Sequence, residues 1–194
     1  TNIKNSDKMK RMKNNYLRLF FAIELSADIK DKLVAVLKKM PLPERVNLTP
    51  KENLHLTLLF LGSVSLDQLP QIIEIAENVF ARYSIFDLYF NNITGAPNEN
   101  YCRMIWLNGE NSPILEHIKN DLESELEKNG INFEKENRSL KIHITLARFN
   151  PMRCSFQPIE FPERLRVKEL VLMESQLQKP HAVYIPLKKF PLRP

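Results

Sequence analysis

Two of the four histidines stand in the same short frame, His-x-Thr-Leu, and this repeat is the strongest chemical signal in the sequence. The first copy covers residues 55–58 and the second covers residues 143–146. Because side chains alternate between the two faces of a strand, the imidazole and the hydroxyl of each copy share one face. The other face is predicted to pack and is apolar: Leu54, Leu56, Leu58 and Phe60 in the first strand, and Ile142, Ile144 and Leu146 in the second. The repetition favours one polar site shared by two strands over two unrelated core histidines.

A facing pair of histidines suits acid–base catalysis. An imidazole titrates near neutrality, so one of His55 and His143 can be neutral while the other is protonated. Thr57 and Thr145 each supply a hydroxyl whose direction is restricted by β-branching. Two such hydroxyls on opposite walls would donate hydrogen bonds to two oxygens of one phosphate. The four residues therefore predict chemistry at a phosphate ester.

Two cations close to the second motif are further candidates for the site. Arg148 offers a planar fork that matches a phosphate, although strict strand alternation points it away from His143. Lys141 shares the face of His143 and would add positive charge near the mouth of a cleft. A solvated lysine at a strand edge explains Lys141 equally well.

Other reaction classes fit the sequence less well. A zinc site needs three or four His, Cys or carboxylate ligands, and no acidic residue shares the face of either motif. No GxSxG elbow is present, and four glycines leave little material for a phosphate-binding loop. We therefore expect no metal and no cofactor. His117 and His181 are interpreted as surface residues.

Length and charge place the chain among ordinary globular proteins. Its 194 residues make one large domain or two small lobes, and 28 Lys and Arg against 23 Asp and Glu give a net charge of +5. This charge suits a polyanionic ligand without specifying one.

The isolated Cys102 and Cys154 predict reduced thiols in a cytoplasmic protein, since the sequence shows no pattern of paired cysteines. No apolar run approaches the roughly 20 residues of a membrane helix.

The hydrophobic pattern predicts strands in adjacent groups separated by single helices. Strands are predicted at 17–25, 45–48, 53–62, 85–93, 102–108, 141–148, 167–174 and 182–187, helices at 26–40, 69–80 and 113–129, a turn at 95–97 and a long loop at 151–162. This order predicts an α+β fold with antiparallel sheets and helices packed outside. Residues 1–15 are basic and polar and predict a disordered extension, leaving 16–194 as a single domain.

The two motif strands lie 88 residues apart, and each follows a predicted helix. This arrangement predicts two lobes related by a pseudo-twofold axis, each presenting its histidine strand to a central cleft.

The motifs and their flanks resemble the two-histidine phosphoesterase superfamily, and within it the RNA 2′,3′-cyclic phosphodiesterases, also called 2′-5′ RNA ligase-like proteins. The resemblance runs from Leu17 onward and is carried by residues 18–23, 50–58, 60–62, 103–107, 143–148, 172–175 and Tyr184. It implies a bilobal fold and metal-independent opening of a terminal 2′,3′-cyclic phosphate to a 2′-phosphate. The expected partner is an RNA or oligonucleotide end, and the expected state is a monomer without a membrane association.

The resemblance also implies roles for the motif residues. By position, His55 matches the proton donor and His143 the proton acceptor, while Thr57, Thr145 and Arg148 match phosphate-binding positions.

The sequence departs from the family at two positions beside the motifs. The family often has proline where this chain has Ile142, and lysine where it has Leu59. Both departures leave the catalytic frame intact.

Two alternatives stay open at this point. The same histidines would serve in joining or cleaving 2′-5′ linkages, because a catalyst works in both directions. The second alternative is a non-catalytic module that binds RNA or nucleotides, although binding alone does not need two titrating groups.

Overall fold

Two antiparallel sheets and three helices make up the described part of the chain. The computed structural model describes residues 15–98, 100–135, 139–153, 157–179 and 181–194. Its elements are β1 (Tyr16–Glu24), α1 (Ala27–Leu37), β2 (Val46–Leu48), β3 (His55–Ser65), α2 (Leu69–Phe80), β4 (Phe86–Pro97), β5 (Cys102–Gly109), α3 (Pro113–Lys128), β6 (His143–Met152), β7 (Ile159–Val167), β8 (Glu169–Gln176) and β9 (Val183–Pro191). Short 3-10 turns at Lys51–Asn53 and Leu66–Gln68 precede β3 and α2.

Each histidine motif opens a strand of a different sheet. The first sheet has the order β3-β1-β8-β9 and the second has the order β2-β6-β5-β4-β7. Every pairing between these strands is antiparallel. The predicted α+β fold with two antiparallel sheets is confirmed.

Two of the three described helices begin at a serine cap. Ser26 accepts a hydrogen bond from the backbone N–H of Ile29 at the start of α1, and Ser112 accepts one from Leu115 at the start of α3. One face of each sheet joins the helices in a single hydrophobic core. The opposite faces carry two small apolar clusters, one around Phe20 and the other around Trp106. The sheets thus keep one face for packing and one face for a cleft.

The region predicted as a long loop at 151–162 contains strand instead. β6 continues to Met152, and β7 begins at Ile159 and pairs with β4. Pro162 falls at an irregularity of this pairing, on a strand at the sheet edge, where a missing N–H costs no ladder bond. Residues 95–97 also differ from prediction, because they end β4 rather than forming a turn.

Cys102 is disulfide-bonded, so the prediction of a reduced thiol at this position is wrong. Cys154 lies outside the described residues, as do residues 1–14 of the predicted extension. No helix in the described ranges is long and apolar enough to cross a membrane.

Candidate active site

The two motif strands line one cleft. Five of the six candidates from the sequence line a cavity of about 280 Å³, and Lys141 does not: the five are His55, Thr57, His143, Thr145 and Arg148. The cavity wall contains no Asp or Glu among the described residues. These five residues supply two titrating groups, two hydroxyls and a permanent cation, with no carboxylate beside them on the described cavity wall.

Both histidines are anchored in the same way. Nδ1 of His55 lies 2.7 Å from the carbonyl oxygen of Asn53, and Nδ1 of His143 lies 2.9 Å from that of Lys141. A carbonyl only accepts, so Nδ1–H is the donor in each case. In each neutral ring Nε2 therefore carries the lone pair and is the nitrogen that exchanges a proton.

The ring of His55 sits in an aromatic enclosure. Its centroid lies 5.1 Å from that of Phe20 and 5.0 Å from that of Tyr184. Burial lowers the pKa of His55 below its ordinary value of 6.5, and the hydrogen bond to the Asn53 carbonyl only partly opposes this. Oγ1 of Thr57 lies 3.1 Å from Nε2 and donates to it when the ring is neutral. The free protein thus favours neutral His55.

His143 has a different neighbour. Its ring packs on Trp106 with 4.0 Å between the centroids. Nζ of Lys141 lies 5.0 Å from the centroid of Trp106 and does not line the cavity. Lys141 therefore contacts the indole that supports His143, and its carbonyl anchors the imidazole.

An irregularity in β6 brings Arg148 to the cleft. Thr145 and Ala147 pair with consecutive residues of β5, so Leu146 is an extra residue in the strand. Such a bulge reverses the alternation of side chains beyond it. Arg148 consequently faces the cavity despite its spacing from His143, and its Nη1 lies 3.0 Å from Sδ of Met104.

The same irregularity occurs in β3. Thr57 and Leu59 pair with consecutive residues of β1, and Leu58 is the extra residue. The alternation predicts Phe60 on the packing face, and this prediction is wrong. Phe60 is 38% exposed and lines the cavity, where the guanidinium of Arg18 lies over its ring.

Two residues of the cleft, Thr49 and Asn53, are not predicted by the alternation of side chains in the motif strands. Thr49 follows the short edge strand β2, and its hydroxyl donates to the carbonyl of Thr145 at 2.9 Å. Asn53 precedes the first motif, and its amide donates to the carbonyl of Ala182 at 2.7 Å, which ties β3 to the loop before β9. Both residues line the cavity. Only their proximity to the motif in sequence would have suggested them.

Known proteins share this sequence pattern. The family described as LigT-like phosphoesterases matches residues 23–106. A protein of Escherichia coli strain K12 named RNA 2′,3′-cyclic phosphodiesterase is 31% identical over 176 residues, which cover 90% of this chain and 96% of the relative.

Solved structures share the fold. A protein of Thermus thermophilus superposes with a TM-score of 0.83 at 26% identity, covering 91% of this chain and 98% of that chain. The E. coli LigT protein complexed with 3′-AMP superposes with a TM-score of 0.78 at 30% identity, with the same coverage.

Proposed function

The chain belongs to the LigT-like phosphoesterase family, and we propose that it is an RNA 2′,3′-cyclic phosphodiesterase in which His55 and His143 are the acid–base pair. One observation carries the assignment of this pair. Each imidazole is fixed through Nδ1 to a backbone carbonyl, in a shared cleft that also contains a threonine beside each histidine. The arrangement presents two Nε2 atoms to one substrate.

The phosphate is proposed to lie between the two threonines. Thr57 and Thr145 donate from opposite walls, and Arg148 adds a charged fork to the same anion. The absence of carboxylates from the described cavity wall favours an anionic group there. The bound 3′-AMP in the E. coli protein supports a nucleotide end as the substrate class.

The reaction needs one proton accepted and one donated. Nε2 of His143 takes a proton from a water as its oxygen attacks phosphorus. The bond from phosphorus to the 3′ oxygen breaks, and Nε2–H of His55 protonates that leaving oxygen. The product carries a 2′-phosphate and a free 3′-hydroxyl.

Burial suits His55 to the donor role. An imidazolium with a lowered pKa is a stronger acid and protonates an alkoxide more readily. The anionic phosphate raises the pKa of His55 when it binds, because an opposite charge nearby stabilises the imidazolium. Substrate binding therefore favours the protonated form of His55, which takes its proton from solvent and donates it to the leaving oxygen.

Single replacements test the pair. His55→Ala and His143→Ala should each lower kcat by a factor of roughly 10² to 10⁴, since each removes one general acid or base. The assay follows hydrolysis of a nucleoside 2′,3′-cyclic phosphate in EDTA. His117→Ala is the control, because His117 lies exposed on α3.

Product identity decides between the outcomes. A 3′-phosphate product, or full activity in either histidine variant, would contradict the proposal. A 2′-5′-linked dinucleotide is assayed in parallel, and faster turnover of that substrate would favour the alternative activity on the same site. RNA ends and a monomeric enzyme remain the proposed partner and state.

A further inference from the structure

The two lobes differ at one equivalent position of the cleft. Phe60 and Arg148 each stand three residues after the motif threonine, and each is turned into the cleft by the bulge before it. The second lobe therefore presents a cation at this position and the first lobe presents an aromatic ring.

Arg18 supplies a cation to the first lobe from the neighbouring strand. Its guanidinium carbon lies 4.7 Å from the centroid of the Phe60 ring, and both side chains line the cavity. An arginine held over an aromatic ring uses no N–H donor in a hydrogen bond to that ring, so its donors stay available for acceptors. Within the described ranges, Arg18 has no hydrogen bond or ion pair to another protein group. The contact with Phe60 thus places a cation in the cleft wall that pairs with no anion among the described residues.

This cation is separated from the reacting phosphate. Phe60 lies three residues beyond Thr57 along β3, a separation of roughly 10 Å at the usual rise of a strand. His55 lies further along the strand in the opposite direction. The separation leaves room for the terminal nucleoside between the phosphate at Thr57 and an anion at Arg18.

We propose that Arg18, oriented by Phe60, binds the phosphate on the 5′ side of the terminal nucleotide. This subsite would make the chain prefer oligonucleotide ends over mononucleotides. The inference rests on the proposed function, because that function places the cyclic phosphate between the histidines.

Three substrates isolate the upstream charge. They are a nucleoside 2′,3′-cyclic phosphate, a dinucleotide ending in the same cyclic phosphate, and that dinucleotide with an uncharged methylphosphonate linkage. The unaltered protein should turn over the charged dinucleotide with a kcat/KM about tenfold above the other two, the size of one charged hydrogen-bond contact. Arg18→Ala should remove this preference, and Arg18→Lys should keep part of it, because charge remains without the planar fork.

Salt dependence gives a second readout. For the charged dinucleotide, Arg18→Ala should reduce the slope of log(kcat/KM) against log salt by about 0.7, the value for one phosphate contact on a single strand. Arg164→Ala is the control variant, because Arg164 is an exposed arginine on β7 outside the cavity wall. It should leave both the preference and the slope unchanged.

Three results would overturn the proposal: an equal loss on all three substrates in Arg18→Ala, a preference that survives Arg18→Ala, or no preference in the unaltered protein. The first would assign Arg18 to the terminal nucleotide itself. Failure of the proposed function would look different, because the unaltered protein would then not hydrolyse the mononucleotide.

Discussion

At the scale of single residues, the two histidines share an anchor and differ in their surroundings. Both donate Nδ1–H to the carbonyl two residues earlier, which fixes the tautomer of the neutral ring. His55 is enclosed by Phe20 and Tyr184, whereas His143 packs on Trp106. Identical motifs therefore give a pair whose members need not titrate together.

The lowered pKa of His55 predicts a pH dependence with a definite sign. His55 should titrate below pH 6.5 in the free protein. Because the folded protein disfavours the protonated ring, the free energy of unfolding should be unaffected by His55 above pH 6.5 and should fall progressively as the pH drops below that value. Proton–nitrogen NMR correlation spectra of the imidazoles measure the titration, with exposed His117 as the internal control. Adding a nucleoside 2′-phosphate should raise the pKa of His55.

The rate should follow a bell-shaped curve in pH. Its two limbs should report apparent pKa values of the coupled His55–His143 pair and not of either residue alone. Because the bound anion favours protonated His55, the alkaline limb of kcat should lie above that of kcat/KM. A profile with a single limb between pH 4 and 10 would mean that only one group titrates. The assigned acid–base pair would then be wrong.

At the scale of elements, the cleft depends on how β5 and β6 pack at their ends. The backbone N–H of Gly109 donates to the carbonyl of Ile142, the residue before His143. A Cβ at position 109 would lie 2.6 Å from Cγ2 of Ile142 and 3.0 Å from the carbonyl oxygen of Tyr89. Glycine at this position therefore allows the close approach that places His143.

Gly109→Ala should destabilise the protein by about 1–3 kcal/mol, the usual cost of forcing extra atoms into a packed site. It should also lower kcat, because relief of the contact moves Ile142 and with it His143. Thermal unfolding and the cyclic phosphate assay measure the two effects.

Adding Ile142→Ala to this variant provides the control. The double variant should be more stable than the sum of the two single effects predicts, because the second change removes the atom in conflict. Additive losses would show that the contact with Ile142 is not the cause.

At the scale of the whole molecule, the proposed substrate joins the lobes. Thr57 belongs to the first sheet and Thr145 to the second, and both line the same cavity. A ligand that binds only the folded protein stabilises it by about 2.7 kcal/mol at a hundredfold excess over Kd. A phosphate held from both sides should therefore depend on both lobes.

Thr57→Val and Thr145→Val should each reduce the thermal stabilisation by a nucleoside 2′-phosphate, and the double variant should reduce it further. Valine keeps the shape of threonine and removes the donor. Unfolding of each variant without ligand controls for changes in the fold itself. A loss confined to one threonine would place the phosphate on one lobe and contradict the shared site.

The sequence alone predicts the two motifs, the starts of α1 and α3 and the two antiparallel sheets. These features follow from local rules: alternation in strands, capping of helix ends and the spacing of apolar residues. His55, Thr57, His143 and Thr145 could be assigned to one cleft because each pair shares a strand face over a short stretch.

Side-chain directions beyond those short stretches depend on how the strands pair in the folded protein. The bulges after Thr57 and Thr145 reverse the alternation, so Phe60 and Arg148 face the cleft. A bulge depends on pairing with a neighbouring strand, and the residue pattern of the bulged strand alone does not predict it. The same reason explains β7, whose Pro162 is tolerated because the strand lies at a sheet edge. Contacts between residues distant in the chain set these features, and a pattern read along the chain does not contain them.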